Sequence, residues 1–503
     1  MRQAIVLTSV FLVSSDRTAT AQWVSFTDDT ASRLILSPFA DDPGGLPIND
    51  GKEKDMAVGD LNRDGLTDVV VVRKLQFSNP GARQDVLLIN ENGVLTDRTA
   101  DFAPGFITEM TDARDVFIGD FDGDGWDDVI IANTFWQQPK YYRNLGDDGN
   151  GNWFGLADES KARFPEIVVA NLPGPQFCAV WGGDVTGNGA LDIYFSNYAQ
   201  SDGTTDVLLI NSGSGIFTDE TDARLGDYAN VAFGTAVEIY DVDNDGDNDI
   251  VKISTLYAAD PFDARWLGIL YNNGKGSFNN VQEIFNAEPY MFDIGDLNGD
   301  GMLDIYHQGD QQDRVLIATS MTPDVNVTYT VSQPSPSPRT TGFGGNSKLA
   351  DVDGDGDLDV GIAPVDVDIQ NCSGFLAGDF ALLRNDGTGG LSDPWLDNQD
   401  QNIHVRPHDF AFLDVDNDGC MDILMGLCEG WRVFIQDGCD PPLPGDGDGD
   451  GDVDLADHGV FVQCATGPGP HDLSATCAAF DLDGDQDVDL ADWSVFQVGF
   501  TGS

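Results

Sequence analysis

Between residues 56 and 436 the chain alternates short apolar runs with short acidic ones. The apolar runs are continuous: Asp68–Val72 is one aspartate followed by four valines, and Asp128–Ile131 and Asp192–Phe195 have the same form. A half-exposed strand would alternate, whereas continuous runs suit strands covered on both faces. Each run has another before it, as in Met56–Gly59 or Phe410–Leu413. A third follows, as in Val86–Ile89, Val207–Ile210 or Leu382–Leu383. Next comes Asn-x-Gly, a hairpin signal. A short fourth run ends the unit: Val94–Thr96, Ile216–Thr218, Ser277–Phe278. Repeated four-strand units predict the blades of an all-β propeller.

An acidic nonapeptide lies between the first and second run of every unit. In the fourth copy Asp241, Asp243, Asp245 and Asp249 occupy positions one, three, five and nine, with Gly246 at six and Asp247 at seven. A hard divalent cation takes six to eight oxygens at about 2.3–2.6 Å. Alternate carboxylates on a curled loop can converge on one point, and the carbonyl of the seventh residue can complete the shell. Glycine permits the sharp turn. The first copy offers Asp60, Asn62, Asp64, the carbonyl of Leu66, and Asp68. The second offers Asp120, Asp122, Asp124, Trp126 and Asp128; the third Asp184, Thr186, Asn188, Ala190 and Asp192. Then come Asp296, Asn298, Asp300, Met302 and Asp304 in the fifth, and Asp351, Asp353, Asp355, Asp357 and Asp359 in the sixth. The seventh has Asp414, Asp416, Asp418, Cys420 and Asp422. Start-to-start spacings are 60, 64, 57, 55, 55 and 63 residues. Seven copies at a near-constant period predict seven blades.

The seventh unit lacks a fourth run after Trp431–Ile435. The missing piece is legible at the other end, where Trp23–Leu34 reads like Gly215–Leu225. The N-terminal stretch is therefore expected to supply the outer strand of blade seven and remove an exposed edge.

Over about residues 22–438 these units resemble FG-GAP/VCBS repeats, which build integrin α-chain propellers and some seven-bladed fungal lectins. The resemblance implies a Ca²⁺ in each loop, about seven in all. Thr186 and Asn188 depart from the motif, so the third site is expected to be weakest.

After a linker at 439–445, residues 446–503 carry two longer acidic loops. Asp446, Asp448, Asp450, Asp452 and Asp457 form the first; Asp481, Asp483, Asp485, Asp487 and Asp492 form the second. Each runs into an apolar-patterned segment, the layout of an EF-hand loop feeding a helix. Paired, they resemble a dockerin type I module. That implies a small α-helical domain, up to two further Ca²⁺, and a cohesin-like or cell-surface partner. Gln486 replaces the usual turn glycine, and Leu455, Ala456, Leu490 and Ala491 are less polar than dockerin contact positions usually are.

Composition narrows the partners. Formal charge is -61, from 86 acidic against 25 basic residues. Such a surface repels nucleic acid, which needs clustered lysine and arginine. Arg2, the apolar stretch Ala4–Val13 and Ala19-Thr-Ala21 resemble an export signal over 1–21. No run is long enough to span a bilayer, so a secreted monomer without membrane insertion is expected. Seven cysteines in an exported chain suggest disulfides. Cys464 with Cys477, Cys420 with Cys439 and, more weakly, Cys372 with Cys428 are the expected pairings, leaving Cys178 as the odd thiol. The second rests on Cys428 facing Trp431 across a hairpin.

No catalytic set emerges. There is no Gly-x-Ser-x-Gly, His-Glu-x-x-His or P-loop, and the histidines are His307, His404, His408, His458 and His471. The connections 35–53, 98–112, 158–176, 220–233, 333–344 and 394–407 should gather opposite the acidic loops. They bring Phe102, Phe106, Phe164, Tyr228, Phe343 and Trp395, which either contact a ligand or pack their own loops. The expected function is adhesion or recognition of an extracellular glycan or protein. An extracellular polysaccharide-degrading lyase or hydrolase is the alternative.

Overall fold

The computed structural model describes residues 23–37, 53–75, 81–169, 172–198, 205–231, 233–254, 266–285, 289–309, 312–334, 346–363, 379–392, 403, 405–427 and 430–437. In the tail it describes Phe461, Cys464, Phe480, Val488, Asp492 and Trp493. Among the described residues the strands form seven sheets; strands consecutive in the chain pair antiparallel, and two N-terminal strands join the sheets of blades seven and one. They are the blades of a seven-bladed propeller.

Blade one comprises Glu53–Gly59, Asp68–Lys74, Val86–Asn90 and Leu95–Asp97. Blade two follows with Ala113–Gly119, Asp128–Asn133, Lys140–Asn144 and Leu156–Asp158. Blade three has Phe177–Gly183, Asp192–Asn197, Val207–Asn211 and Phe217–Asp219. Blade four has Val237–Tyr240, Asp249–Ser254, Trp266–Tyr271 and Asn280–Phe285. Its outer strand starts beyond the expected Ser277–Phe278, because Phe278 is instead buried between blades three and four. Blade five has Pro289–Gly295, Asp304–Gly309, Arg314–Thr322 and Asn326–Ser332, the longest outer hairpin described. Blade six shows Ser347–Ala350, Asp359–Ile362 and Ala381–Leu383, with a lone bridge between Arg384 and Ser392 at its edge.

Blade seven contains Pro407–Leu413, Asp422–Leu427 and Gly430–Gln436. Its outer strand is Phe26–Asp28, with Phe26 opposite Gln436 and Asp28 opposite Phe434. The N-terminal segment therefore closes the ring as expected. Beyond the one-turn helix Thr30–Arg33, Leu34–Ile35 pairs parallel with Leu95–Thr96 and ties blade seven's outer edge to blade one.

The core is divided by junction. Val69 and Val71 pack with Leu424 and Val433 of blade seven. Val70 and Val72, pointing the other way, pack with Val129 and Ile131 of blade two. Every second strand thus serves two cores, which is why its sequence is apolar at successive positions.

One register departs from expectation. Gly426 pairs with Trp431 and Leu427 with Gly430, where the expected register set Cys428 opposite Trp431. Continuing that register puts Cys420 opposite Asp437, not Cys439. Cys420 and Cys464 are both disulfide-bonded, Cys178 is a buried thiol outside any disulfide, and Cys372, Cys428, Cys439 and Cys477 lie outside the described residues.

Candidate functional site

The seven acidic loops share one internal wiring. The first-position aspartate accepts the N–H of the sixth-position glycine in each: Gly65 to Asp60 at 2.9 Å, Gly125 to Asp120 at 2.8 Å and Gly246 to Asp241 at 2.9 Å are examples. The glycines sit at positive φ, 84° for Gly65 and 96° for Gly246, where a side chain would be strained. The ninth-position aspartate points inward. Its Oδ1 accepts a backbone N–H from the third strand, as in Asn90 to Asp68 at 2.9 Å or Gln436 to Asp422 at 2.8 Å. The seventh-position N–H donates to the fifth residue, as in Leu66 to Asp64 at 3.0 Å and Cys420 to Asp418 at 2.9 Å.

Burial pushes the ninth-position carboxyls up. Asp68 and Asp359 reach about 8, Asp128 and Asp422 about 7, Asp192 and Asp304 about 6, and Asp249 about 9. The cause is desolvation first, reinforced by neighbouring aspartates in the same loop.

Four loops bring three carboxylates within 4.8 Å of one another: Asp120, Asp122 and Asp128; Asp241, Asp243 and Asp249; Asp351, Asp353 and Asp355; Asp414, Asp416 and Asp422. In these loops the third-position Oδ1 atoms of Asp122, Asp243, Asp353 and Asp416 are buried without a hydrogen-bond donor. Buried acceptors are normally satisfied, so the donor set fits a hard cation. Loops one, three and five carry Asn62, Thr186 and Asn298 at that position and form no such trio. Asn62 and Asn298 instead donate to Asp64 and Asp300, at 3.1 and 3.0 Å. Asn188 donates away from its loop, to the Asn211 carbonyl at 3.1 Å. The seven copies thus split into two groups, where the sequence marks loop three alone. Of the tail residues expected as ligands, only Asp492 is described, and it is buried; the rest lie outside the described residues. Phe461 packs 5.5 Å from Phe480 and 5.3 Å from Trp493, joining the two tail repeats.

Two features of the loop face escape the sequence reading. The asparagine of Asn-x-Gly is also an inter-blade staple. Asn144 Nδ2 donates to the Leu61 carbonyl at 2.8 Å and Asn211 to Phe121 at 2.7 Å; Asn90, Asn272 and Asn385 reach Val415, Val185 and Leu297 likewise. Arginines also brace the loops: Arg143 reaches Asp122 and Asp124, Arg384 reaches Asp353 and Asp355, and Arg33 reaches Asp416.

A second acidic set lines the central channel, on the first strands. Asp55, Asp115, Glu238 and Asp293 line a cavity of about 320 Å³ with Lys348 and Asn346. They cap neighbouring blades: Asp115 accepts the Val180 N–H at 2.7 Å, and Asp409 accepts that of Met56 at 2.8 Å. Burial raises Asp55, Asp293 and Asp409 to about 7.

The other face is irregular. Phe106 is buried against Tyr142, Phe102 packs 5.0 Å from Trp153, and Phe164 and Tyr228 pack against core clusters. These aromatics hold their own loops; Phe343 and Trp395 lie outside the described residues. A groove of about 730 Å³ opens on blade two, lined by Glu109, Lys140, Asp158, Lys161, Phe164 and Glu166 among others. Lys140 Nζ bridges Glu109 and Asp158, at 2.6 Å each. Two residues before Gln138, which lines the groove, is Trp136, 41% exposed, with φ of 69° after Phe135 at 52°. Non-glycine residues rarely adopt that region, and such outliers gather at functional positions. The signal in the sequence was an aromatic pair where a polar turn is expected.

Of the histidines, His307 is buried and held down to about 3 by desolvation, far below what base catalysis near neutrality needs. His408 is fully buried, and the other three lie outside the described residues. Among the described residues no helix is long and apolar enough to cross a membrane.

A family model described as FG-GAP-like repeat matches residues 60–131. No curated protein matches the chain. Among solved structures, an Agrocybe aegerita lectin whose title reports recognition of non-reducing terminal N-acetylglucosamine aligns at 18% identity, over 71% of this chain and 82% of its own, with a TM-score of 0.42. The Vibrio cholerae biofilm matrix protein Bap1 aligns at 11% identity over 82% and 91%, TM-score 0.38. The Photorhabdus luminescens Tc holotoxin pore aligns at 13% identity over 76% of this chain and 16% of its own, TM-score 0.33.

Proposed function

We propose that this chain is an exported, calcium-loaded recognition propeller. Its acidic loops stiffen one face of the ring, and its opposite face binds an extracellular glycan or protein. The dockerin-like tail attaches the module to a cohesin-like or cell-surface partner.

The observation that supports the reading is Trp136, held half-exposed at positive φ in the same blade-two connection as the groove residue Gln138. An aromatic ring offers a stacking surface, and the flanking lysines and carboxylates offer directional hydrogen bonds. Calcium in this reading neutralises the loops and fixes the turn between first and second strands. Asp120, Asp122, Asp124 and Asp128 with the Trp126 carbonyl hold it in blade two, and the corresponding residues in the other blades.

A glycan array probed with the full chain in calcium tests the binding claim. Wild type should retain a defined set of glycans, and Trp136→Ala should lose them with its melting temperature unchanged. Equal retention by both proteins rejects the groove. Turnover of a bound polysaccharide, abolished by one substitution in the groove, would replace binding with catalysis.

A further inference from the structure

We infer that the blade-four loop and the tip of the blade-five hairpin form one inter-blade cation site, to which Asp324 of blade five adds an acid. This rests on the calcium reading above and adds to it a ligand from the neighbouring blade and a task, holding the junction between blades four and five.

Blade four differs from the other cation loops in three ways. Asp243 Oδ1, Asp247 Oδ1 and Asp249 Oδ2 are all buried without a donor, where loops two, six and seven leave one such oxygen each. Asp243 and Asp249 are both 1% exposed, so bulk solvent does not reach them. Loops two, six and seven each have an arginine against the third-position aspartate. Among the described residues, the blade-four loop has no such ion pair. Three unsatisfied acceptors and no basic neighbour define a site completed by a cation.

The blade-five hairpin reaches into this site. The Asp324 N–H donates to Asp243 Oδ2 at 2.6 Å, which sets this acidic residue at the edge of the blade-four loop. Asn280 Nδ2 holds the Asp324 carbonyl at 2.6 Å, and Asn244 Nδ2 reaches the Gly301 carbonyl of the blade-five loop at 2.9 Å. This junction also lacks the asparagine staple: at the asparagine's place stands Ala318, which has no side-chain donor and whose N–H meets Asp304 where that of Asn144 meets Asp128 in blade two. A cation held from both sides takes over that bond's role.

Hydrogen exchange of the full chain, followed across a calcium titration, tests the inference. In wild type, calcium should slow exchange in both the loop 241–249 and the hairpin 314–332. Asp324→Asn keeps a residue that tolerates the positive φ of 59°. It should need roughly tenfold more calcium to protect the hairpin, since affinity follows ligand charge. Its blade-two loop should be protected as in wild type. Asp243→Asn should weaken protection of loop and hairpin together. Identical calcium dependence of the hairpin in wild type and Asp324→Asn overturns the inter-blade site while leaving calcium at the loops intact. Protection of no loop by calcium overturns the calcium reading and this inference with it.

Discussion

The two faces of the ring follow different rules. On the loop face the same wiring recurs: in all seven loops a first-position carboxylate meets a glycine N–H and a buried ninth-position carboxylate meets the third strand, and in five blades an asparagine reaches the neighbouring blade. On the opposite face the connections differ in length and chemistry, and the groove and Trp136 belong to blade two alone among the described residues. Periodic chemistry marks the work of holding blades together, which every blade must do. Aperiodic chemistry marks what the scaffold presents.

The strongest way to break this contrast is to withhold the cations proposed for the loops. Ligand bound to the native state alone raises stability with concentration. Millimolar calcium should raise the melting temperature by about 10 °C or more over chelated protein, read by calorimetry. No shift would leave the loop face without its assigned purpose. Blade closure comes next. Phe26 is 3% exposed between blades six and seven, so Phe26→Ala should cost about 3 kcal/mol in urea unfolding.

The staple is weaker but specific. Asn144→Ala leaves the buried Leu61 carbonyl without that donor and should cost about 1–3 kcal/mol. Trp136→Gly, on the other face, should stabilise by about 0.5 kcal/mol through relief of positive φ while abolishing ligand retention. A destabilised Trp136→Gly would make that residue structural and blur the distinction between faces.

Acidity separates the faces further. The loop and channel carboxyls with raised values bind protons more tightly folded than unfolded, starting from 3.8. Their contribution is fully present below about 4 and is lost as pH rises through about 6 to 9. Chelated protein should therefore melt at progressively lower temperature from pH 4 to 9. Calcium, which competes with those protons, should stabilise more as pH rises. A chelated protein whose stability rises over that range would contradict the burial assigned to these groups.

The one-dimensional pattern settled the blade count, the strand order within a blade and the identity of the acidic loops, because each depends on local periodicity and on residues within nine positions of each other. It also disclosed the N-terminal closure, since an outer strand keeps its motif wherever the chain places it: Trp23–Leu34 still reads as a blade's outer edge. Other features needed the folded ring. Asn144 reads as a turn residue until blade one is beside it, and Asp324 as a hairpin tip until it meets Asp243. The register of the blade-seven hairpin, with Gly426 in place of Cys428 opposite Trp431, was decided by pairing across the sheet. The division of the loops into two groups likewise rests on which carboxylate oxygens are left buried without donors. Local sequence dictates what a residue can bond to; only packing between distant segments decides what lies within reach.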